Sequence, residues 1–285
     1  MNAIAAPEPA TAEAEASLKP SDPASAPLDY LSSSRLKCFG ECRLKFYFRY
    51  VERIPSPTSP ALFVGRVAHH VLQRWNMARW RGESSGPESM RPVFTKHWES
   101  DQPEDGLDWG DGKKEVAARE NTWAMLHHYF ANSPIPEEEK PEAVEVVVER
   151  DLVAHGLPPL RGVIDLVREG GRIVDFKTAA RSPSTDTVGH LNAVQLGCYA
   201  LLYREATGGK ESGFELHHLI KTKQPKLVVT PLEPMSPDHA RVLIRQMESY
   251  VAGVESEDFV PSPGQHCSWC EYLGECKAWD GGQKS

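Results

Sequence analysis

The stretch 160-LRGVIDLVREGGRIVDFKT-178 decides how the rest of the chain is read. Val163, Ile164, Leu166 and Val167 form an apolar run around Asp165, and Gly170-Gly171 offers a tight turn. Ile173, Val174 and Phe176 then surround Asp175 and lead to Lys177. The pattern predicts a hairpin that carries its charges on strands. In the second strand the two-residue period puts Ile173, Asp175 and Lys177 on one face, with Val174 and Phe176 on the other. Ionisable groups in so apolar a strand need a partner, a metal ion or water, because an unpaired buried charge is costly.

The chain around this hairpin has 285 residues, 40% hydrophobic and 25% charged, enough for one large domain or two small ones with a real core. It contains no apolar run of about 18 residues and does not start with a basic region followed by an apolar one. The expectation is therefore a cytoplasmic protein with no membrane contact. A formal charge of −8 argues against indiscriminate coating of nucleic acid, but it leaves room for a local basic groove. Six unevenly spaced cysteines without an export signal favour metal binding or buried thiols over a disulfide framework.

Residues 1–29, rich in Ala, Pro, Glu and Ser and without a period, have the composition of a disordered tail ahead of a domain over 30–285. Ser32, Ser33 and Ser34 then offer an N-cap to a helical stretch, SRLKCFGECRLKFYFRYV. Its Arg35, Lys37, Arg43, Lys45 and Arg49 interleave with Phe39, Phe46, Tyr47, Phe48 and Tyr50, which suits phosphates and stacked bases, or equally an amphipathic helix pair with a ring-filled core. In ALFVGRVAHHVLQRWNMARW the apolar residues fall on one helical face, with His69 and His70 on either side of that stripe; the geometry does not choose between them. Polar residues from about 81 surround a short helix near Met90–Trp98. With a second helix from about Lys114 to Phe130 they read as a peripheral helical insertion over about 81–135.

Beyond this insertion, a strand EAVEVVVER precedes the hairpin, with Glu145 and Glu149 expected to face solvent. After the hairpin a helix over about 188–206 places Gln195 and Tyr199 four apart on one face. Strands FELHHLIKT and KLVVTPL follow, and then a covering helix over about 236–254. Strands alternating with covering helices indicate an α/β fold, and the absence of a GxxxxGK[ST] loop argues against an ATPase motor. Near the end, QHCSWCEYLGEC presents Cys267, Cys270 and Cys276, three thiols short of a fourth ligand. Cys38, Cys42, Cys198 and, less well, His266 could supply it, and zinc or an iron-sulfur cluster would suit the set.

Taken together, His69, Asp165, the DFK of Asp175-Phe176-Lys177, the QxxxY of Gln195 and Tyr199 and the cysteine set resemble, in this order, the RecB-type branch of the PD-(D/E)XK nucleases. That branch includes the nuclease domains of recombination helicase-nucleases and the cluster-bearing CRISPR-associated exonucleases. The resemblance covers most of 31–276. It implies a restriction-endonuclease-like core, a mixed central sheet flanked by helices. It further implies a 4Fe-4S cluster on Cys42, Cys267, Cys270 and Cys276 that joins the N-terminal end to a segment over 261–278. It selects His69 as a ligand, four residues after Gly65 and three before Leu72. The sequence departs from the family pattern with Arg43 where a proline usually follows the cysteine, and with Ile164 in place of the proline of the superfamily's name.

The activity so implied is DNA phosphodiester hydrolysis, as an exonuclease on ends or single strands in repair, recombination, phage or CRISPR processing, with a helicase or a CRISPR or recombination protein as the partner the resemblance suggests. Mg²⁺ or Mn²⁺ would be held by Asp165, Asp175, the Phe176 carbonyl and His69, the imidazole tilting the choice toward manganese. Lys177 would stabilise transition-state charge, with Gln195 and Tyr199 supporting the site. A different class of function, a non-catalytic DNA-binding or assembly subunit, would keep the fold and the cluster but has no need of Asp165, Asp175 and Lys177 together.

Overall fold

The central sheet has five strands, β1 (Ala143–Arg150), β2 (Leu160–Arg168), β3 (Arg172–Ala179), β4 (Gly213–Ile220) and β5 (Lys226–Leu232), ordered across the sheet as along the chain. All neighbours pair antiparallel except β3 and β4, which are parallel and joined by a helical crossover, so the sheet is mixed as expected. The computed structural model describes residues 25–103 and 106–281. The β2–β3 turn depends on glycine: Gly170 and Gly171 have φ of +80° and +74°, and a Cβ on Gly171 would also collide with the Tyr203 hydroxyl. The hairpin ladder runs only from Arg168↔Arg172 to Leu166↔Val174. Beyond it the strands part, at Asp165.

On one face lie α1 (Ser33–Glu41) and α2 (Arg43–Phe46), the latter running into a π-helical turn over Tyr47–Val51. The Ser32 hydroxyl caps α1 by accepting from the Arg35 amide at 3.4 Å. Cys42, extended at φ −160°, separates the two helices. Phe39, Phe46 and Phe48 are buried, and Phe39 and Phe46 meet Tyr250 edge to face, so these rings fill the core and cannot serve as base-stacking platforms. The amphipathic-helix reading of this segment is the one observed.

The opposite face carries α3 (Pro60–Arg81), α4 (Pro87–Ser100) and α5 (Gly112–Ala131). Pro60 begins α3, the Ser59 hydroxyl caps it and Gly82 in the left-handed region ends it. Its buried stripe, including Val67, Val71 and Leu72, packs with Leu166, Val174 and Phe176; truncating Leu72 to Ala would cost about 2–5 kcal/mol. The supposed peripheral insertion is part of this layer: Met90, Phe94, Trp98, Leu126 and Tyr129 are all buried in the same core. Apolar spacing within the two helices carried that information, but the polar residues flanking them obscured it.

The expected single helix over about 188–206 is two, α6 (Val188–Leu191) and α7 (Ala193–Thr207), parted at Asn192, whose side-chain amide donates to the Val188 carbonyl. With α8 (Pro237–Glu255) they complete the first layer, where Leu196, Leu202 and Met247 pack on Ile173 and Leu216. The two ends of the domain meet. Leu31 bridges Leu160 at the sheet, and Tyr272, just ahead of α9 (Leu273–Ala278), packs with Cys42, Leu44 and Phe48. The tail expected over 1–29 lies outside the described residues as far as 24, but 25–29 are tied to the domain, with Leu28 against the core and Ala26 and Asp29 exposed. Arg35 donates to the carbonyls of Ala26 and Pro27, and Tyr250 donates to Pro27. No helix among the described residues is long and apolar enough to cross a membrane.

Candidate active site

β3 sets the site. Asp175 is only 1% exposed, and one of its oxygens is hydrogen-bonded: Oδ1 accepts from Gln195 Nε2 at 2.8 Å and from the Tyr199 hydroxyl at 3.4 Å. Oδ2 lies 2.8 Å from Lys177 Nζ as an ion pair, though without hydrogen-bond alignment. Lys177 also donates to Gln195 Oε1 at 2.9 Å, and Gln195 Nε2 reaches the Tyr199 hydroxyl at 2.9 Å. The i,i+4 spacing on α7 is what aims Gln195 and Tyr199 at the same carboxylate. Burial, followed by the neighbouring Asp165 and Asp175 charges, pushes the Tyr199 hydroxyl well above its ordinary range, so it stays a neutral donor.

Asp165 stands where β2 leaves β3. The Phe176 amide, freed from the ladder, donates to Asp165 Oδ2 at 3.1 Å, and His69 Nδ1 from α3 lies 3.6 Å from that oxygen. His69, not His70, therefore faces the hairpin. The Phe176 side chain lies in the layer of α3 and α5, edge-on to His69, Tyr129 and His217. Burial lifts Asp165 to about 6; His69 opposes the rise and Asp175 adds to it.

One residue of the site escapes the sequence reading. Glu145, expected to face solvent, is half-buried opposite Asp165 at a point where the β1–β2 ladder skips a pair, and its φ of +51° is left-handed in a residue that is not glycine. Burial, then the Asp165 charge, raises it to about 7. A signal was there: a carboxylate breaking the valine run of β1 is the feature that singled out Asp165. Glu149 does stay at the exposed edge, paired with Arg161. His218, on β4 opposite Lys177, adds a buried Nδ1 with no hydrogen-bond partner among the described residues.

The mixed sheet with its carboxylates converging where two strands part, a lysine two residues beyond the second, is an arrangement that comparison can test. Residues 30–277 match the PD-(D/E)XK nuclease superfamily. The chain belongs to that superfamily. Among solved structures it is similar to a Eubacterium rectale protein described as a candidate exonuclease, with a TM-score of 0.52 at 15% identity over 86% of this chain and 88% of that one. A protein named SSO0001 covers comparable lengths, 86% and 95%, at 12% identity and a TM-score of 0.38, too low to carry an argument. No curated protein matches the chain.

In this nuclease the cysteines divide into two groups. Cys38 and Cys198 lie in the main core, where burial pushes both thiols up to about 12 and leaves them inert. Cys42, Cys267, Cys270 and Cys276 instead line one small cavity of about 40 Å³, with His266 beside them. Two backbone amides point at its sulfurs, Ser262 at Cys42 (3.5 Å) and Gly264 at Cys267 (3.4 Å). No three of the four sulfurs lie within 4.8 Å of one another. A tetrahedral zinc would need its sulfurs about 3.8 Å apart, so the thiols are gathered without being closed around a single ion.

Proposed function

We propose that this nuclease hydrolyses DNA with Mg²⁺ or Mn²⁺, acting as an exonuclease on ends or single strands. The observation that carries the reading is the convergence of Asp165, Asp175 and His69 beside a lysine already held in place by Asp175 and Gln195. Asp165, Asp175, His69 and the Phe176 carbonyl would hold the ion, with Glu145 as a further carboxylate. When bound, such an ion lowers the pKa of a coordinated water and polarises the phosphoryl group. Lys177 would stand at the scissile phosphate, neutralising charge that develops there. Its ammonium needs no reorganisation because Gln195 and Asp175 already fix it. Tyr199 would hold Gln195, and through it Lys177, in register.

A basic groove of about 880 Å³ adjoins this centre, lined by Lys37, Arg43, Lys45 and Arg49 and reaching Gln195. Arg43 pairs with Asp258, and Lys45 with Glu41 and Glu271. Lys37 makes no ion pair among the described residues and lies close enough to Lys177 that burial and that charge lower its pKa. It is therefore the groove cation best placed for a phosphate next to the reacting one. The similarity to the Eubacterium rectale protein agrees with an exonuclease.

We propose further that Cys42, Cys267, Cys270 and Cys276 hold a 4Fe-4S cluster. What supports this is that all four line one cavity with two backbone amides directed at sulfur, a common way of stabilising thiolates around a cluster. Its place is structural, joining α2 to the C-terminal segment away from the reacting groups.

The test is digestion of end-labelled linear DNA and circular single-stranded DNA of equal length with Mn²⁺ present. An exonuclease removes the linear label and spares the circle. Cleavage of the circle would make the enzyme an endonuclease, and no cleavage of either by folded protein would overturn the nuclease reading.

A further inference from the structure

A second group of metal-binding side chains lies outside the hairpin. His97 in the last turn of α4 and Asp101, the residue that caps its C-terminus, are four residues apart, and His70 reaches them from α3. His70 Nδ1 lies 2.6 Å from Asp101 Oδ2, and His97 Nδ1 lies 3.2 Å from the same oxygen; one atom from each of the three side chains falls within 4.8 Å of the others. The other carboxylate oxygen is occupied, accepting from the Ser100 hydroxyl at 2.9 Å, which orients Oδ2 toward the imidazoles. All three side chains are partly shielded, with exposures of 36%, 24% and 16%.

We propose that His70, His97 and Asp101 form a second metal site, separate from the ion of the hairpin, which takes a borderline d-block cation such as Zn²⁺ and clamps α4 onto α3. Two imidazoles and one carboxylate are the donor set that zinc takes in preference to magnesium. An ion bonded at about 2.0–2.1 Å to each of three tetrahedral ligands holds them about 3.3 Å apart; the His97–Asp101 pair is at 3.2 Å, and the His70–Asp101 hydrogen bond of 2.6 Å would open to admit the ion. Three protein ligands leave one position open to solvent. The site is separate because His69, the preceding residue, points the other way, to Asp165.

The consequence concerns the helix that carries the nuclease ligand. α4 already rests on α3 through the Phe63–Trp98 edge contact, with ring centroids 5.0 Å apart. An ion on His70 adds a bond at the far edge of the same pair of helices, one residue from His69, and so limits rotation of the turn that presents His69 to the hairpin. The site does not depend on the nuclease reading, since its test counts metal.

Full-length wild type, His97→Ala and Asp101→Asn are saturated with Zn²⁺ in excess Mg²⁺, freed of loose metal and assayed for zinc per chain. Zinc on the cysteines or at the hairpin is common to all three proteins and cancels. The site predicts one equivalent less in each variant. It also predicts that the rise in melting temperature given by Zn²⁺ at about 100 times its Kd is smaller by about 5 °C or more in both variants than in wild type. Mn²⁺-dependent nuclease activity should survive. If His97→Ala fails to fold, Asp101→Asn, which keeps the shape and the hydrogen-bond acceptor, decides. Equal zinc and equal melting shifts in wild type and Asp101→Asn would overturn the site and leave only a hydrogen-bonded triad.

Discussion

At the hairpin, the protein's own hydrogen bonds lock together side chains from distant parts of the chain. Asp175 accepts from Gln195 and Tyr199 and pairs with Lys177, while Asp165 takes the Phe176 amide. In the cysteine cavity, four thiols drawn from both ends of the domain share one small space without such a network; in neither region do three ligand atoms lie within 4.8 Å of one another. The contrast is physical. Carboxylates, amides and ammonium groups satisfy one another, so a catalytic centre can be preorganised before its ion arrives. Thiols are weak hydrogen-bonding groups, so what unites them has to come from outside the chain. Changes at the hairpin should therefore alter rate, whatever they do to stability, and changes at the cavity should alter stability without altering rate.

The largest effect is expected for Asp175→Asn. Its nuclease rate should fall by about 10³-fold, with weakened Mn²⁺ binding by titration calorimetry, while the metal-free melting temperature stays within about 3 °C of wild type. Cys270→Ser should show the opposite signature. The melting temperature of cluster-loaded protein drops by several degrees, the size of a lost cross-link worth about 2–4 kcal/mol, while the rate per folded molecule at low temperature is unchanged. If Cys270→Ser lost rate and kept stability, the division between the two regions would be wrong.

A smaller effect appears in the pH dependence of stability. Asp165 and Glu145 are raised to about 6 and about 7, so the metal-free fold holds protons that the unfolded chain has released. Both carboxylates therefore weaken the metal-free fold above about pH 7, and the penalty fades as the pH falls toward the ordinary carboxylate range. Asp165→Asn should stabilise metal-free protein at pH 8 by on the order of 2 kcal/mol, with the gain shrinking toward pH 5 and reversing in sign when Mn²⁺ is present. Denaturant melts at the two pH values, with and without the ion, would show it. The smallest effect is expected for Tyr199→Phe, which keeps the ring but removes the hydroxyl that accepts from Gln195 and donates, at the longer distance, to Asp175. A fall in rate of about fivefold with no change in fold is the expected result, near 1 kcal/mol.

Much of the sheet was legible because apolar runs and the glycine turn specify strands locally, and the spacing of Gln195 and Tyr199 gives a shared helical face from sequence alone. Glu145 was not legible, since its inward turn comes from a left-handed backbone opposite Asp165, which only pairing with β2 creates. The rings of Phe39 and Phe46 were ambiguous for a similar reason. A basic and aromatic helix serves nucleic acid or a core equally well until Tyr250, more than 200 residues on, is seen to cover it. His69 and His70 were equivalent on an isolated helix. They separate only when β2 is placed on one side of α3 and α4 on the other.

The central claim is that Lys177, held by Asp175 and Gln195, serves phosphodiester hydrolysis at the hairpin. The most direct measurement is single-turnover digestion of end-labelled single- and double-stranded DNA in Mn²⁺ by wild type and Lys177→Ala, with equal melting temperatures showing that both are folded. The account predicts a loss of about 10²–10³-fold in Lys177→Ala. Equal rates for the two proteins would contradict it.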